Sequence, residues 1–209
     1  MFRNFFVVAL RNLFRNRLYS LTNVLGLSIG IACSILILLW VFDELSYDRF
    51  HSNGNRIYQV MVNTTFDDKI HTWTSLPLPT YLALQTEHSN ILHSTITDRG
   101  GEHLLTVGEK KIIMNGMAVS EQFLEIFKFP LIHGNASNIL DDISSIVITE
   151  STAKALFGED DAMDQIIRID DKREMKVAGI LKDVPDNSSL EFNFLIPWSN
   201  KLQDVPWIK

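Results

Sequence analysis

The feature that most constrains this chain is an uninterrupted apolar run near its N-terminus. Residues 24–42 read VLGLSIGIACSILILLWVF and contain no charged side chain. As an α-helix this run would be about 28 Å long, at about 1.5 Å per residue, close to the roughly 30 Å hydrocarbon thickness of a bilayer. We therefore predict one transmembrane helix, within residues 21–44.

The charges on either side of the run predict its direction across the membrane. Four arginines and no acidic residue precede it: Arg3, Arg11, Arg15 and Arg17. The first charged residues after it are Asp43 and Glu44. Because basic flanks stay in the cytoplasm, we expect a cytoplasmic N-terminus and an extracytoplasmic location for the chain after about residue 44.

A cleaved signal peptide is the main alternative, since it also joins a basic start to an apolar segment. The segment here is longer than the usual ~7–15 residues, and no small-x-small cleavage site follows it. A lipidation site at Cys33 would leave the apolar residues 35–42 directly behind the modified cysteine. We therefore favour a retained helix, in which Cys33 is a small apolar residue.

Residues 1–20 are predicted to form an amphipathic helix at the membrane interface. Their apolar side chains recur three or four residues apart, at Phe2, Phe5, Phe6, Ala9, Leu10 and Leu13. Arginines and asparagines occupy the opposite side, which is the pattern of a helix that lies in the membrane plane and faces lipid phosphates. Docking of this helix on a cytoplasmic partner is the alternative that the pattern leaves open.

A row of small residues on the predicted transmembrane helix is a candidate site for helix packing. Gly26 and Gly30 form a GxxxG pattern, and Ser34 continues the row by one turn. Small side chains let a second helix approach closely, because nothing holds the two backbones apart. Chance occurrence is the alternative, since the pattern is common in apolar helices.

The rest of the chain is acidic. Residues 1–23 hold four of the 19 basic residues and none of the 25 acidic ones, so the remainder carries a net charge of −10. Such a domain is not suited to nucleic acid. Cys33 is the only cysteine, so no intrachain disulfide can form and the domain depends on core packing.

After residue 44 the sequence alternates short strands with a few helices. Strands are predicted at residues 56–63, 91–97, 104–107, 111–119, 145–149, 165–169, 176–182 and 190–196. The turn residues Gly108-Glu109 predict that the strands at 104–107 and 111–119 form a hairpin. Helices are predicted at residues 77–87, 120–127 and 151–157, with Ser120 and Ser151 as N-caps and Gly158 as a C-terminal cap. The fold class that follows is α+β.

The sequence offers no catalytic or cofactor-binding pattern. It contains no GxxxxGK[ST] phosphate loop, and its six histidines form no HExxH motif. Acidic runs at residues 141–142, 159–161 and 170–171 lack the spacing of a calcium loop and are interpreted as solvated turns. We therefore predict no enzymatic activity, metal site or cofactor in this chain.

Five stretches in order carry a resemblance to one family: ALRNLFRNRLYSLTNVLGLSIGIA, ELSYDRFHSNGNRIYQV, FPLIHGN, SIVITESTAKALFG and VAGILKDVPDNSSLEFNFLIP. Together they are similar to the N-terminal part of MacB/FtsX-type ABC transporter permeases with a MacB-like periplasmic core domain. The resemblance implies a two-lobed, mixed α/β extracytoplasmic domain at residues 45–209, with an inserted lobe at about 102–183. Residues 56–97 and 190–196 are then expected to form the first lobe together. It also implies the bacterial cytoplasmic membrane as the location.

The resemblance implies partners as well. Permeases of this type work with a cytoplasmic ATPase, which uses the ATP, and form homo- or heterodimers. They are expected to pass ATP-driven movement to the outer domain, in export, efflux or regulation of cell-wall hydrolases. Substrates vary across the family, so no single substrate is predicted.

Two departures from the family pattern stand out. The family's permeases have further spanning helices after the outer domain, and none follows here before Lys209; this sequence is therefore interpreted as part of a longer permease or a truncated product. A single-pass anchored binding or sensor module is the alternative function. In addition, Asp164 stands where relatives tend to have glycine, which puts the geometry of that turn in question.

Overall fold

The computed structural model describes residues 14–88 and 90–204, together with residues 4, 7, 8 and 11. The chain divides into two compact units, Met1–Tyr47 and Asp48–Lys209. The first contains one long helix, and the second contains every strand among the described residues. The prediction of an apolar helix followed by an α+β domain is confirmed.

Helix α1 (Arg17–Ser46) is 30 residues long and has no buried residue. At about 1.5 Å per residue it extends for about 45 Å, more than the roughly 30 Å that a bilayer core requires. It is the one helix among the described residues that is long and apolar enough to cross a membrane. The predicted bounds, residues 21–44, fall inside it. Nine of the 20 residues of the predicted amphipathic helix at residues 1–20 lie outside the described residues, and its last four belong to α1.

The first elements of the second unit are a 3₁₀ turn (Gly54–Arg56) and an exposed hairpin. Strands β1 (Val62–Phe66) and β2 (Lys69–Trp73) pair only with each other among the described strands. Helix α2 (Leu78–Glu87) follows, with proline in its first turn as predicted. The strand expected at residues 56–63 is therefore misplaced, because the pairing begins only at Val62.

A seven-stranded sheet forms the body of the domain. Its strands are β3 (Gly101–Val107), β4 (Lys110–Val119), β5 (Leu131–His133), β6 (Ser145–Thr149), β7 (Ile166–Ile169), β8 (Arg173–Leu181) and β9 (Phe194–Pro197). Their order is β5-β8-β6-β9-β4-β3-β7, and β7 also pairs with β8. Six strands thus close into a ring. The seventh, β5, pairs with the C-terminal end of β8.

Strand β6 shows how the sheet is buried on both faces. All five of its residues are buried, and alternate side chains point to opposite sides of a strand. Ile146 and Ile148 join one apolar cluster with Leu105 and Phe194. Val147 joins a second cluster, whose larger members are Phe123, Phe129, Leu181, Phe192 and Leu195. The SIVIT run is therefore a central strand, which explains why three apolar residues, 146–148, follow one another in it.

Two strand predictions differ from the structure. Residues 190–196 were expected to join residues 56–97 in a separate lobe, but β9 pairs with β4 and β6 of the large sheet, so that placement is wrong. Residues 91–97 form no strand and contribute only one bridge, between Thr97 and Val119. The boundaries of an inserted lobe at about 102–183 stay a prediction.

Three further helices lie against or beside the sheet: α3 (Phe123–Phe127), α4 (Glu150–Phe157) and α5 (Trp198–Asp204). The prediction that Ser120 caps α3 is wrong, because its hydroxyl is within hydrogen-bond distance of the Thr95 hydroxyl (2.8 Å) and accepts from the Ile96 N–H. Gly158 does end α4, as predicted, and has a positive φ of +73°.

Candidate functional site

The small-residue row lies open along α1. A side chain built at Gly26 or Gly30 would meet no atom within 4 Å, and Ser34 is exposed. The Ser34 hydroxyl donates to the Gly30 carbonyl at 2.8 Å, and the Thr22 hydroxyl likewise donates to the Tyr19 carbonyl at 2.9 Å. These hydroxyls are satisfied within the helix, as an apolar environment requires. The row is thus compatible with lipid and leaves a shallow surface for another helix.

Three of the four predicted orientation residues belong to the described part of the chain. Arg11, Arg15 and Arg17 are exposed, and Arg17 Nε donates to the Phe14 carbonyl at 3.2 Å. Arg3 lies outside the described residues. Arg11 and Arg15 therefore precede α1, and Arg17 is its first residue.

The second unit opens with residues 48–51, here called the exit segment, which is tied to a distant loop. Asp48 accepts two hydrogen bonds from Ser189, at 2.9 Å from the backbone N–H and at 2.6 Å from the hydroxyl. The Asp48 N–H in turn donates to the Asn187 carbonyl at 2.9 Å. Asp48 has φ +56°, a left-handed conformation that is unfavourable for residues other than glycine.

Three residues later, His51 is buried in a pocket of phenylalanine rings and is only 6% exposed. Its Nδ1 is hydrogen-bonded to the Phe127 carbonyl, while its Nε2 is buried with no described partner. The ring lies 5.3 Å from Phe127 and 5.1 Å from Phe129, both edge-on. Phe129 continues into the core through Phe192, at 5.0 Å, so this histidine joins the exit segment to the second apolar cluster.

The loop that receives Asp48 is braced from within. The Ser188 side chain is buried, and its hydroxyl donates to the Leu190 carbonyl at 3.0 Å and accepts from the Leu190 N–H at 3.2 Å. Farther along, the Asn193 N–H donates to the Asn115 carbonyl at 2.7 Å, and the Asn193 carbonyl accepts from the Thr149 N–H at 2.9 Å. The loop is thereby connected to β4 and β6 in the centre of the sheet.

One ionisable pair stands out at the turn between β7 and β8. Asp170 Oδ2 lies 2.7 Å from His103 Nδ1, and Asp170 Oδ1 accepts from the Leu104 N–H at 2.9 Å. Partial burial acts to raise the pKa of Asp170, but the bonds from His103 and Leu104 and the nearby positive charges outweigh it. The net pKa of Asp170 is therefore below its ordinary value of 3.8.

The described residues contain no group of three or more His, Cys, Asp or Glu side chains that could hold a metal ion. The acidic pair at 170–171 instead forms a left-handed turn, with φ +51° and +56°. His93 is close to Glu125, at 3.2 Å. Asp170 is paired with His103, and His93 with Glu125, so these ionisable groups have partners within the protein.

The hairpin of β1 and β2 exposes apolar side chains on both of its faces, which sequence analysis missed. Phe66, Ile70 and Trp73 are all more than half exposed. Paired residues share a face in an antiparallel ladder, so Phe66 and Trp73 lie on one face and Ile70 on the other. The alternation in residues 62–73 could have revealed the hairpin, but its Asp-Asp turn lacks the usual glycine signal.

Comparison with protein-family models identifies the domain. The model described as "MacB-like periplasmic core domain" matches residues 20–207, which is most of the chain. A comparison with curated proteins gives no match.

Among solved structures, a domain of a protein assigned as a permease from Porphyromonas gingivalis is 21% identical and covers 63% of this chain, with a TM-score of 0.54. The periplasmic region of MacB from Actinobacillus actinomycetemcomitans is 20% identical over 63% of the chain, with a TM-score of 0.49. The extracellular domain of the noncanonic ABC-type transporter YknZ from Gram-positive bacteria is 14% identical over 62%, with a TM-score of 0.48.

The chain spans 56%, 59% and 65% of those three structures, in that order, which is less than two thirds of each. The similarity to the P. gingivalis domain supports the fold, whereas the family assignment comes from the match over residues 20–207. That family is a component of transporter permeases and not a class of enzymes. This chain belongs to the family of MacB-like periplasmic core domains found in ABC-type transporter permeases.

Proposed function

We propose that this chain is the N-terminal portion of a permease subunit in an ABC-type export or mechanotransmission complex. In it, α1 crosses the bacterial cytoplasmic membrane with Arg3, Arg11, Arg15 and Arg17 on the cytoplasmic side. The domain after about residue 44 lies outside and responds to a cytoplasmic ATPase. The chain itself binds no cofactor, because the ATPase partner uses the ATP.

The observation that carries this proposal is the continuity of the family match with the apolar helix. The match begins at residue 20, inside α1, and runs to residue 207. A helix with no buried residue is unlike the core helix of a soluble domain, which packs on its neighbours. A retained membrane anchor joined to an extracytoplasmic domain accounts for both features.

Topology is tested with a reporter enzyme that is active only outside the cytoplasm. Fused after Asp43, it should be active, and fused after Arg17 it should be inactive. Reversing the flanking charges, with the four arginines changed to Glu and Asp43 and Glu44 to Lys, should reduce the outer activity. An inactive Asp43 fusion, or cleavage that releases the domain from the membrane, would refute a retained helix with this orientation.

The helix-packing assignment is tested on the small-residue row. Gly26→Leu with Gly30→Leu should reduce recovery of a second, differently tagged permease chain in detergent, because the larger side chains separate the backbones. Ala32→Leu is the matched control, since residue 32 lies on the opposite side of α1 from residue 30. Equal losses in both variants would contradict a specific contact at Gly26, Gly30 and Ser34.

The ATPase partner is tested by purifying the tagged chain from its native membrane. Recovery of an ABC ATPase, in amounts that fall when residues 1–20 are deleted, would support the permease role. An anchored binding or sensor module is the other candidate, favoured by the exposed Phe66, Ile70 and Trp73 of the hairpin. Recovery of an extracytoplasmic protein with no ATPase would favour that candidate.

A further inference from the structure

We propose that Asp48 and Ser189 form a latch that opens reversibly while His51 stays anchored in the domain. Two contacts hold the exit segment on the domain: the latch, which is the Asp48–Ser189 hydrogen bonds, and the anchor, which is the His51 ring. They differ in their exposure to solvent. The latch joins side chains that remain in contact with solvent. The anchor is an almost fully buried ring among phenylalanines.

Opening the latch costs little, because each lost hydrogen bond is replaced by one to water. The groups that separate are a carboxylate, a hydroxyl and a backbone N–H, all of which water can hydrogen-bond. Opening also frees Asp48 from φ +56°, so that its backbone can return to the favourable region for an L-residue. Part of the energy gained in the contact is therefore spent on holding this conformation, which favours release.

Removing His51 from its pocket is much less favourable. Departure of the ring would leave a cavity lined by Phe127 and Phe129, and cavities in aromatic clusters destabilise a core. It would also strand the Phe127 carbonyl, which His51 Nδ1 contacts. We therefore expect the anchor to persist whenever the domain is folded.

Between the two attachments the chain forms a turn, closed by a long hydrogen bond from the His51 N–H to the Asp48 carbonyl at 3.3 Å. The ends of such a turn lie within about 7 Å, whereas three extended residues span about 10 Å. An open latch therefore lets the exit segment lengthen by about 3 Å without moving His51.

The loop that contacts Asp48, residues 187–193, is held in place by several hydrogen bonds of its own. Ser188 is bonded twice to Leu190, and Asn193 is bonded to Asn115 and Thr149. Displacement of residue 48 is thus expected to break the Asp48 contacts before it deforms residues 187–193. In the closed state, residues 48 and 189 move together.

The role of the latch rests on the proposed function. If movement reaches the outer domain through the chain that leaves α1, a closed latch passes it directly to the loop before β9. An open latch allows about 3 Å of slack before His51 is pulled. The state of the latch would then determine how much of a displacement of α1 reaches the outer domain.

The latch itself is tested by amide hydrogen exchange on the full chain in a non-ionic detergent. Asp48→Ala should speed exchange of the Ser189 amide at least tenfold and leave the Ile148 amide of β6 within twofold. Asp48→Asn, which keeps one acceptor oxygen, should have a smaller effect. Asp186→Ala, an exposed acid in the same loop, is the control and should leave the Ser189 amide within twofold.

His51→Ala provides the contrast, because it should speed exchange across the Phe123 and Phe129 region and lower the melting temperature. An unchanged Ser189 amide in Asp48→Ala would overturn the latch. If Asp48→Ala lowered the protection of β6 as much as His51→Ala does, the latch would not be independent of the core. Both results are read without any ATPase, so they are separate from a failure of the permease proposal, which would appear as no ATPase recovered with the unmodified chain.

Discussion

The Asp183 carboxylate accepts a hydrogen bond at 2.9 Å from the backbone N–H of Ser151, 32 residues earlier in the chain. Ser151 is the second residue of α4, and the residue before the helix, Thr149, makes no side-chain cap. A distant acid thus satisfies an N–H that the first turn leaves without a helical partner. The expectation that Ser151 is itself the cap is wrong for this reason.

We predict that Asp183→Ala lowers the free energy of unfolding by about 1 kcal/mol, because it removes a cap and a negative charge at the positive end of a helix. Chemical denaturation of the full chain in detergent measures it. Asp183→Asn keeps a hydrogen-bond acceptor and should lose less than Asp183→Ala. Asp186→Ala, nearby on the same loop, should change the free energy by less than about 0.5 kcal/mol. Equal effects of the two alanine variants would show that Asp183 does not cap α4.

The parts of the fold that depend on local pattern could be predicted from the sequence. The apolar helix follows from one uncharged run, and Gly108-Glu109 correctly predicts the hairpin of β3 and β4, which joins Val107 to Lys110. Gly108 has φ +56° there, as a tight turn of this kind requires. Gly158 is likewise visible as the residue that ends α4.

The parts that depend on residues distant in sequence could not be predicted. Asp48 and Ser189 are 141 positions apart, and His51 and Phe127 are 76 apart. Neither pairing has a spacing rule, because each exists only once the sheet has brought the loops together. The same reason explains the wrong placement of residues 190–196, since an alternating run indicates a strand but not its neighbours.

Asp164, where the resemblance leads us to expect glycine, lies in a conformation that favours glycine. It has φ +60°, a conformation that glycine adopts readily and other residues adopt at a cost of about 1–2 kcal/mol. Its only described charge partner is Lys176, at 3.1 Å, and both side chains are more than half exposed. An exposed pair of this kind contributes little to stability.

We therefore predict that Asp164→Gly raises the free energy of unfolding, by about 0.5–1 kcal/mol after the lost ion pair and the freer unfolded chain are included. The melting temperature should rise with it. Asp160→Gly is the control, because Asp160 is not among the described residues with positive φ, and it should be neutral or destabilising. A lower melting temperature for Asp164→Gly would mean that the Lys176 contact outweighs the backbone strain.

Gly116 is required by packing and not by its backbone conformation. A methyl group built on it would collide with the Phe194 ring, which is fully buried in the first apolar cluster. We predict that Gly116→Ala lowers the free energy of unfolding by about 1–3 kcal/mol, as expected for overpacking. Adding Phe194→Leu to Gly116→Ala should cost less than the sum of the two single changes, because the smaller side chain makes room. If the free-energy losses of the two single changes added up to that of the double change, Phe194 would not be the side chain that collides with residue 116.

Asp170 gives a pH dependence whose sign follows from its lowered pKa. Because its pKa is below 3.8 in the folded protein, the folded state binds a proton less readily there than the unfolded chain. The stabilisation is therefore fully present above about pH 5 and is lost progressively as the pH falls past 3.8 and through the lower pKa of the folded state. Asp170→Asn should make the melting temperature fall less steeply over that range, and asparagine tolerates the left-handed turn at φ +51°.

The control for this prediction is Asp171→Asn. It changes the adjacent left-handed residue, whose carboxylate lies 3.6 Å from Lys111 in an exposed pair, and it should keep the original slope more closely. Since the Asp170 side chain is 41% exposed, solvent screening keeps the effect modest. A slope in Asp170→Asn equal to that of the unmodified chain would show that the His103 and Leu104 bonds do not favour the charged carboxylate.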